Sequence, residues 1–237
     1  MNAIRAWQST VGKKLVMGLS GLLLVGYLII HLAANLTLFI PDGGRTLNLY
    51  AHTLEKLGPL LTVLRILLAI FFLSHIISGI RVIAQNAKAR GRYAVRATKG
   101  GPSRMNMASL WMARTGITLL IFVPIHIWMF SLGTYYETVI DGTPMRDLAR
   151  LVIEQFSKPV TVAAYVAVML LLWLHLRHGF WSAFQSLGAL SPRWAGTVHA
   201  IGLFFAIALA GGFLVLPIYV YFFLAPAQVA LLGGVAS

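Results

Sequence analysis

Five of the seven histidines in this 237-residue chain lie inside long apolar stretches. Ionisable side chains are costly in a bilayer, so a histidine in such a stretch is a candidate functional group. Four stretches each carry a histidine, namely His31, His75, His126 and His175, and His178 follows three residues after the last of these. A structural hydrogen bond to a neighbouring helix would explain one of them. The recurrence in four stretches instead predicts metal coordination by imidazole.

The stretches themselves are long enough to cross a membrane. A helix spans the hydrocarbon with about 20 apolar residues, and five segments exceed that length: 14–40, 59–84, 111–135, 159–185 and 196–224. Charged residues make up only 11 % of the chain, against about 25 % in soluble domains. This composition excludes a soluble enzyme, a nucleic-acid-binding protein and a disordered chain. The sequence predicts one all-α transmembrane domain over residues 1–237, because the loops are too short for a second.

The charges predict the orientation of this domain. The side that holds the N-terminus carries thirteen Lys and Arg and no acidic residue, whereas the other side carries six basic and six acidic residues. The positive-inside rule therefore predicts a cytoplasmic N-terminus and an external C-terminus. Six of the basic residues fall between Gln85 and Leu110. This basic segment is either a topology determinant alone or a surface for anionic lipid or an acidic soluble partner.

Depth in the membrane divides the histidines into two layers. At about 1.5 Å per residue, His31 and His126 lie roughly 15 Å from the outer ends of their spans. His75 and His175 lie roughly 24 Å from theirs, so the layers are expected to be about 8–9 Å apart. His178 shares nearly one helix face with His175 and is the alternative ligand, but the depth of His75 matches that of His175.

Two imidazoles from facing helices at one depth are the ligand set of a six-coordinate haem. We therefore expect the first four helices to form a bundle holding two haem b groups. His31 and His126 would bind the outer iron, and His75 and His175 the inner iron. Zinc or copper would require a third ligand or a carboxylate at the same level, and no predicted span contains an acid. The chain has no Cys, which excludes cysteine-ligated iron–sulfur clusters and covalently attached c-type haem.

Several residues near the histidines are candidates for the haem surroundings. Gly79 and Gly179 each follow an inner-layer histidine by one turn and would let a flat macrocycle approach the backbone; the alternative is close helix packing. Basic and hydroxyl side chains that could hold propionates or orient a ligand are Arg65, Arg81, Arg177 and Ser78. For Arg65, the alternative is a side chain that extends to the membrane interface.

Two motifs extend the pattern. The first stretch includes residues 13–21 (KKLVMGLSG) and 31–36 (HLAANL), and the fourth includes residues 175–188 (HLRHGFWSAFQSLG). These motifs, with one histidine on each of four helices, resemble one known family. It is the di-haem cytochrome b membrane anchor of succinate dehydrogenase and fumarate reductase, in its single-polypeptide, five-helix form. The resemblance covers nearly the whole chain.

The resemblance implies the rest of a respiratory complex II in a bacterial cytoplasmic membrane. A flavoprotein and an iron–sulfur subunit would dock on the cytoplasmic face and carry out the dicarboxylate chemistry, which this chain alone does not perform. Electrons would pass through the two haems to or from menaquinone or another quinone. The family also places an acid at the outer start of its second helix for quinone proton transfer. Glu55 is the acid near that position, and the alternative is an exposed loop carboxylate paired with Lys56.

Two other functions remain open on the sequence. The first is the cytochrome b anchor of another quinone-linked enzyme, such as a hydrogenase or a formate dehydrogenase. Such anchors often bring two histidines in one helix, which His175 and His178 would satisfy. The second is a transporter that uses intramembrane histidines. Transporters usually have acids or broken helices at mid-membrane, and the sequence shows neither.

Overall fold

The computed structural model describes residues 9–90 and 107–226. Within these ranges five helices are long and apolar enough to cross a membrane, which confirms the predicted multi-pass helical fold. They are α1 (Thr10–Leu36), α3 (Pro59–Arg90), α4 (Met107–Phe130), α6 (Pro159–Ser186) and α7 (Ala195–Tyr219). Two short helices, α2 (Arg45–Glu55) and α5 (Leu148–Phe156), and two strands, β1 (Glu137–Ile140) and β2 (Thr143–Arg146), lie between them. Residues 91–106, the centre of the predicted basic segment, lie outside the described residues.

The spanning helices pack around α6, which contacts α1, α4 and α7, while α1 also packs along α3. One buried apolar cluster joins α1, α6 and α7, and it contains Leu32, Met169, Leu172, Leu176, Ala206, Leu209 and Ala210. Gly212 on α7 belongs to this contact, because a Cβ there would lie 2.7 Å from a methyl carbon of Leu32. Small residues allow such close helix approach in membranes. In contrast, α3 scarcely touches α4, so the bundle is loosely closed on that side.

The short elements form a cap at the end of the bundle opposite the N-terminus. The cap consists of α2, the antiparallel hairpin β1–β2 and α5, and the hairpin turns at Asp141 and Gly142, both of which have positive φ. Asn48 of α2 ties the parts together: its Nδ2 donates to Asp147 Oδ1 at 2.9 Å, and its Oδ1 accepts from the Ala149 N–H at 2.9 Å. The cap buries Leu38, Leu47, Val152 and Phe156 against Tyr165 of α6 and Leu216 and Val220 at the end of the fifth span.

The third spanning helix is shorter than the sequence predicts. It ends at Phe130 rather than near residue 135, and the chain then bends into the hairpin. The bend depends on Gly133, because a Cβ there would lie 2.1 Å from the carbonyl oxygen of Met129. Only glycine tolerates this approach. The apolar composition of residues 131–135 therefore does not extend the helix.

Candidate metal centres within the bundle

Four histidines meet as two pairs inside the bundle. The imidazole rings of His31 on α1 and His126 on α4 have centroids 5.7 Å apart with planes at 87°. Those of His75 on α3 and His175 on α6 have centroids 6.2 Å apart with planes at 71°. These are the pairs that the sequence predicts from depth. His178 lies one turn beyond His175, so it is His175 that faces His75.

The inner pair is held by hydrogen bonds at Nδ1 of each ring. His75 Nδ1 lies 3.1 Å from the Met17 carbonyl oxygen, which can only accept, so the imidazole donates. His175 Nδ1 lies 3.1 Å from Thr115 Oγ1. The Thr115 hydroxyl has its own acceptors in the carbonyls of Trp111 and Met112, at 3.0 and 3.1 Å. Its single proton points there, so it accepts from His175.

These bonds leave Nε2 of both inner imidazoles with a lone pair. A neutral imidazole carries one N–H and one acceptor nitrogen, and each Nδ1 already holds the proton. Histidines that bind metals are commonly oriented in this manner by a carbonyl or hydroxyl on the opposite nitrogen. The inner pair therefore presents two nitrogens that a metal could bind, and contacts from α1 and α4 orient both rings.

The outer pair lies in an aromatic environment. His126 Nδ1 is 3.1 Å from the Tyr165 hydroxyl, and that hydroxyl also reaches the Met129 sulfur at 3.9 Å. The ring of Tyr27 stacks on His31 with centroids 5.4 Å apart, and Phe213 of α7 lies 5.6 Å from the same ring. The fifth span thus contributes a wall to a site that the sequence assigns to the first four helices.

Glycines make room around the inner pair. A Cβ at Gly21 would lie 3.1 Å from His75 Cε1, and one at Gly116 would lie 3.6 Å from His175 Cε1. Gly21 in particular lets the His75 ring lie against α1. Beside the histidines, a Cβ at Gly79 or Gly179 would meet no atom within 4 Å. Both of these positions border open space, as the approach of a flat ligand requires.

The two layers are further apart than the sequence predicts. Tyr165, which contacts His126, precedes His175 by ten residues on α6, and Thr115, which contacts His175, precedes His126 by eleven on α4. Both spacings correspond to about 15 Å along a helix axis, in place of the expected 8–9 Å. The expectation placed the outer helix ends at residues 41 and 137, whereas α1 and α4 end at Leu36 and Phe130. Both outer histidines are therefore closer to the surface, and the pairing is unchanged.

The donor set fits a haem iron. Two imidazoles that bind one iron from opposite faces, each with its nitrogen about 2 Å from the metal, have ring centroids about 6 Å apart. The observed separations of 5.7 and 6.2 Å match this spacing. Within the described ranges no third histidine, cysteine or carboxylate joins either pair, so each pair lacks the further ligands that a tetrahedral zinc site takes from protein side chains.

The remaining predicted residues are spread over both ends of the bundle. Ser78 is buried on α3, one turn from His75. The Arg177 guanidinium is exposed and lies 5.6 Å from the ring centroid of Trp173. Arg65 is exposed near the start of α3, and Arg81 lines an open cavity with Lys13. Glu55 ends α2 on the exposed surface of the cap, and in the described part of the chain it makes neither a salt bridge to Lys56 nor a hydrogen bond to a histidine.

Sequence reasoning missed the residues that orient the imidazoles, namely Met17, Thr115 and Tyr165. A signal existed for two of them. Thr115 and Tyr165 are polar side chains inside apolar spans, ten or eleven residues from a histidine, and polar groups within a bilayer need partners. Met17 contributes only its carbonyl oxygen, so its side chain offers no signal at all.

Comparisons of the chain with protein-family models, with curated proteins and with solved structures return no match. A function for this chain must therefore follow from the chemistry of its own residues.

Proposed function

We propose that this chain is the membrane-anchor cytochrome b subunit of a succinate:quinone oxidoreductase. It would carry electrons between an iron–sulfur subunit and a quinone through two bis-histidine haem b groups. The observation that carries the proposal is the meeting of His31 with His126 and of His75 with His175, in two layers of one transmembrane bundle. The resemblance of residues 13–36 and 175–188 to the di-haem anchors is the reason for proposing a succinate:quinone oxidoreductase among the quinone-linked complexes.

Each residue near the pairs has a defined task in this proposal. Haem iron, when bound, supplies reversible one-electron transfer. Thr115 and the Met17 carbonyl accept the Nδ1 protons of the inner histidines, so that their Nε2 atoms would be free to hold the iron. Tyr165 orients His126. The apolar walls formed by Tyr27, Phe213 and the lipid-facing helices keep water away from the outer pair.

The spacing of the two layers supports transfer across the membrane. The two histidine pairs lie about 15 Å apart along the helix axes, so the groups that they would hold belong to different depths of the bilayer. One haem would serve the cytoplasmic partner and the other the opposite half of the bilayer. Menaquinone or another quinone would react near one of these ends, and Glu55, exposed on the cap, is the candidate for proton exchange there.

The partners would bind on the side that carries the basic residues. The sequence assigns thirteen Lys and Arg and no acidic residue to that side, so an iron–sulfur subunit with an acidic surface would be attracted to it. The flavoprotein would join through the iron–sulfur subunit. This orientation places the N-terminus in the cytoplasm and the inner haem nearest the partner.

The geometry favours this proposal over an anchor of the hydrogenase or formate dehydrogenase type. That alternative depends on His175 and His178 acting as two ligands from one helix, and His178 has no imidazole facing it within the described ranges. A histidine-dependent transporter has the least support of the three. Transporters usually have acids at mid-membrane, and all six acids of this chain lie outside the five spanning helices.

Reduced-minus-oxidised spectroscopy of the purified chain tests the proposal. We expect a b-type spectrum with two haems per chain, one of which is lost in His75→Ala or His175→Ala and the other in His31→Ala or His126→Ala. His178→Ala is the matched control, one turn away on α6, and should retain both haems. A colourless preparation with intact helices would exclude the cytochrome assignment. Loss of haem in the control alone would transfer the ligand role to His178.

Affinity purification from native membranes tests the choice of complex. We expect a flavoprotein and an iron–sulfur subunit to be isolated with the chain, together with succinate:quinone or quinol:fumarate activity. Isolation with a nickel or molybdenum enzyme instead would support the alternative anchor while leaving the two haems in place.

A further inference from the structure

An open cavity of about 510 Å³ lies between α1 and α3, at the end of the bundle opposite the cap. Its lining includes Lys13 of α1 and Arg81, Ala84 and Gln85 of α3. Neither cation forms an ion pair within residues 9–90 and 107–226. Every acidic residue of the chain lies in or beside the cap. The cavity therefore presents two positive charges that the protein does not neutralise.

The depth of the cavity corresponds to the membrane surface. Arg81 follows Pro59, the first residue of α3, by 22 residues. This spacing corresponds to roughly 33 Å of helix, and the hydrocarbon layer is about 30 Å thick. The guanidinium group is therefore level with lipid headgroups.

The cavity opens towards lipid and away from the histidines. Ile70, Leu73 and Ile77 form a stripe at helical spacing on α3, with exposed fractions of 50, 55 and 46 %, and Arg81 continues this stripe by one turn. His75 precedes Arg81 by six residues, which places the two side chains roughly 120° apart around the helix. Arg81 thus ends an apolar surface that acyl chains cover.

We infer that this cavity binds the phosphate group of an anionic phospholipid, whose acyl chains lie along the stripe of Ile70, Leu73 and Ile77. A guanidinium can donate two parallel hydrogen bonds to phosphate oxygens. Lys13 adds a second positive charge from the facing helix, and the Gln85 amide adds a neutral donor. A free phosphate ion would present the same oxygens but could not use the apolar stripe.

Native mass spectrometry of the full chain in mild detergent tests this inference. The probes are dioleoyl-phosphatidylglycerol, dioleoyl-phosphatidylcholine and inorganic phosphate. Each Lys or Arg near a membrane surface strengthens anionic lipid binding about fivefold, so Lys13→Gln with Arg81→Gln should weaken phosphatidylglycerol binding by about 25-fold. Lys14→Gln with Lys88→Gln is the matched control, which removes two exposed charges from the same helices outside the cavity. This control should leave the affinity for phosphatidylglycerol unchanged.

Three results would overturn the inference. Equal weakening of phosphatidylglycerol binding in the control variant would show that the overall positive charge of the surface, and not this cavity, attracts the lipid. Displacement of phosphatidylglycerol by millimolar inorganic phosphate would make the ligand a free anion. Loss of haem from the Lys13 and Arg81 variant, measured on the same sample, would assign these cations to a propionate. If the variant does not fold, the thermal stability of the unaltered protein decides: phosphatidylglycerol should raise its Tm, and phosphatidylcholine and phosphate should not.

The result is independent of the proposed electron-transfer function. A chain without haem that still binds phosphatidylglycerol through Lys13 and Arg81 would keep the lipid site and exclude the cytochrome. A chain with two haems and no selective lipid binding would keep the cytochrome and exclude the lipid site.

Discussion

At the residue scale, the chemistry of the site depends on which nitrogen of each imidazole holds the proton. Thr115 and the Met17 carbonyl settle this for the inner pair, since the carbonyl can only accept and the threonine proton is already directed to its own helix. A histidine without such a partner would rotate and exchange tautomers, and it would bind a metal less well.

Replacing Thr115 with Val removes the acceptor for His175 Nδ1–H and keeps the shape of the side chain. Loss of such a partner typically weakens metal binding by about 10–100-fold. We therefore expect weaker retention and a shifted midpoint potential of one haem, with the other unchanged, measured by redox titration of the purified protein. Thr115→Ser should restore both properties. Thr118→Val is the control, because Thr118 bonds only the Arg114 carbonyl on its own helix.

A methyl group at Gly21 should displace the His75 ring, because its Cβ would lie 3.1 Å from Cε1 and 3.3 Å from Nδ1. Gly21→Ala is expected to lower the content of the inner haem and leave the outer haem in place. Gly26→Ala is the control, since a Cβ there meets no atom within 4 Å, and both changes raise helix propensity equally. Equal haem content in the two variants would contradict the close contact.

At the element scale, the cap closes one end of the bundle and joins two loops, the one between α1 and α3 and the one between α4 and α6. Its apolar residues pack on the ends of α6 and of the fifth span. Asn48 links α2 to the start of α5 through two hydrogen bonds, and the ion pair of Arg45 with Asp141 links α2 to the hairpin. The cap therefore couples the positions of α1, α4 and α6, the helices that carry three of the four paired histidines.

Asn48→Ala should destabilise the protein by about 1–3 kcal/mol, because it leaves the buried Ala149 N–H without its acceptor and removes a donor from Asp147. Thermal unfolding in detergent, followed by circular dichroism, measures this effect as a lower Tm. Thr53→Ala is the control on the same helix, since Thr53 is exposed and bonds only the Leu49 carbonyl. A Tm equal to that of the control would show that the cap does not depend on this bridge.

At the scale of the whole molecule, charge divides the chain into two ends. All six acids lie in or beside the cap, whereas the opposite end carries basic residues alone. The positive-inside rule then predicts that the cap lies outside the cell and the N-terminus in the cytoplasm. The proposed partner surface and the proposed lipid site both depend on this orientation.

Cysteine labelling tests the orientation directly, because the natural chain has no Cys. Thr143→Cys, exposed in the hairpin of the cap, should react with a membrane-impermeant maleimide on intact cells. Ser103→Cys, in the basic segment, should react only after the membrane is opened. The opposite pattern would invert the topology and remove the proposed docking face.

The sequence by itself determined the number of spans, the presence of a histidine on each of four helices and the way these histidines pair. These features follow from local composition and from the fixed rise of a helix, which need no knowledge of neighbours. Only the tertiary structure decided the spacing of the two layers, the contact of His75 with His175 and not with His178, and the contacts of Thr115, Tyr165 and Met17 with the imidazoles. Those properties depend on where each helix ends and on contacts between residues 39–60 positions apart, which packing between helices sets and local periodicity does not.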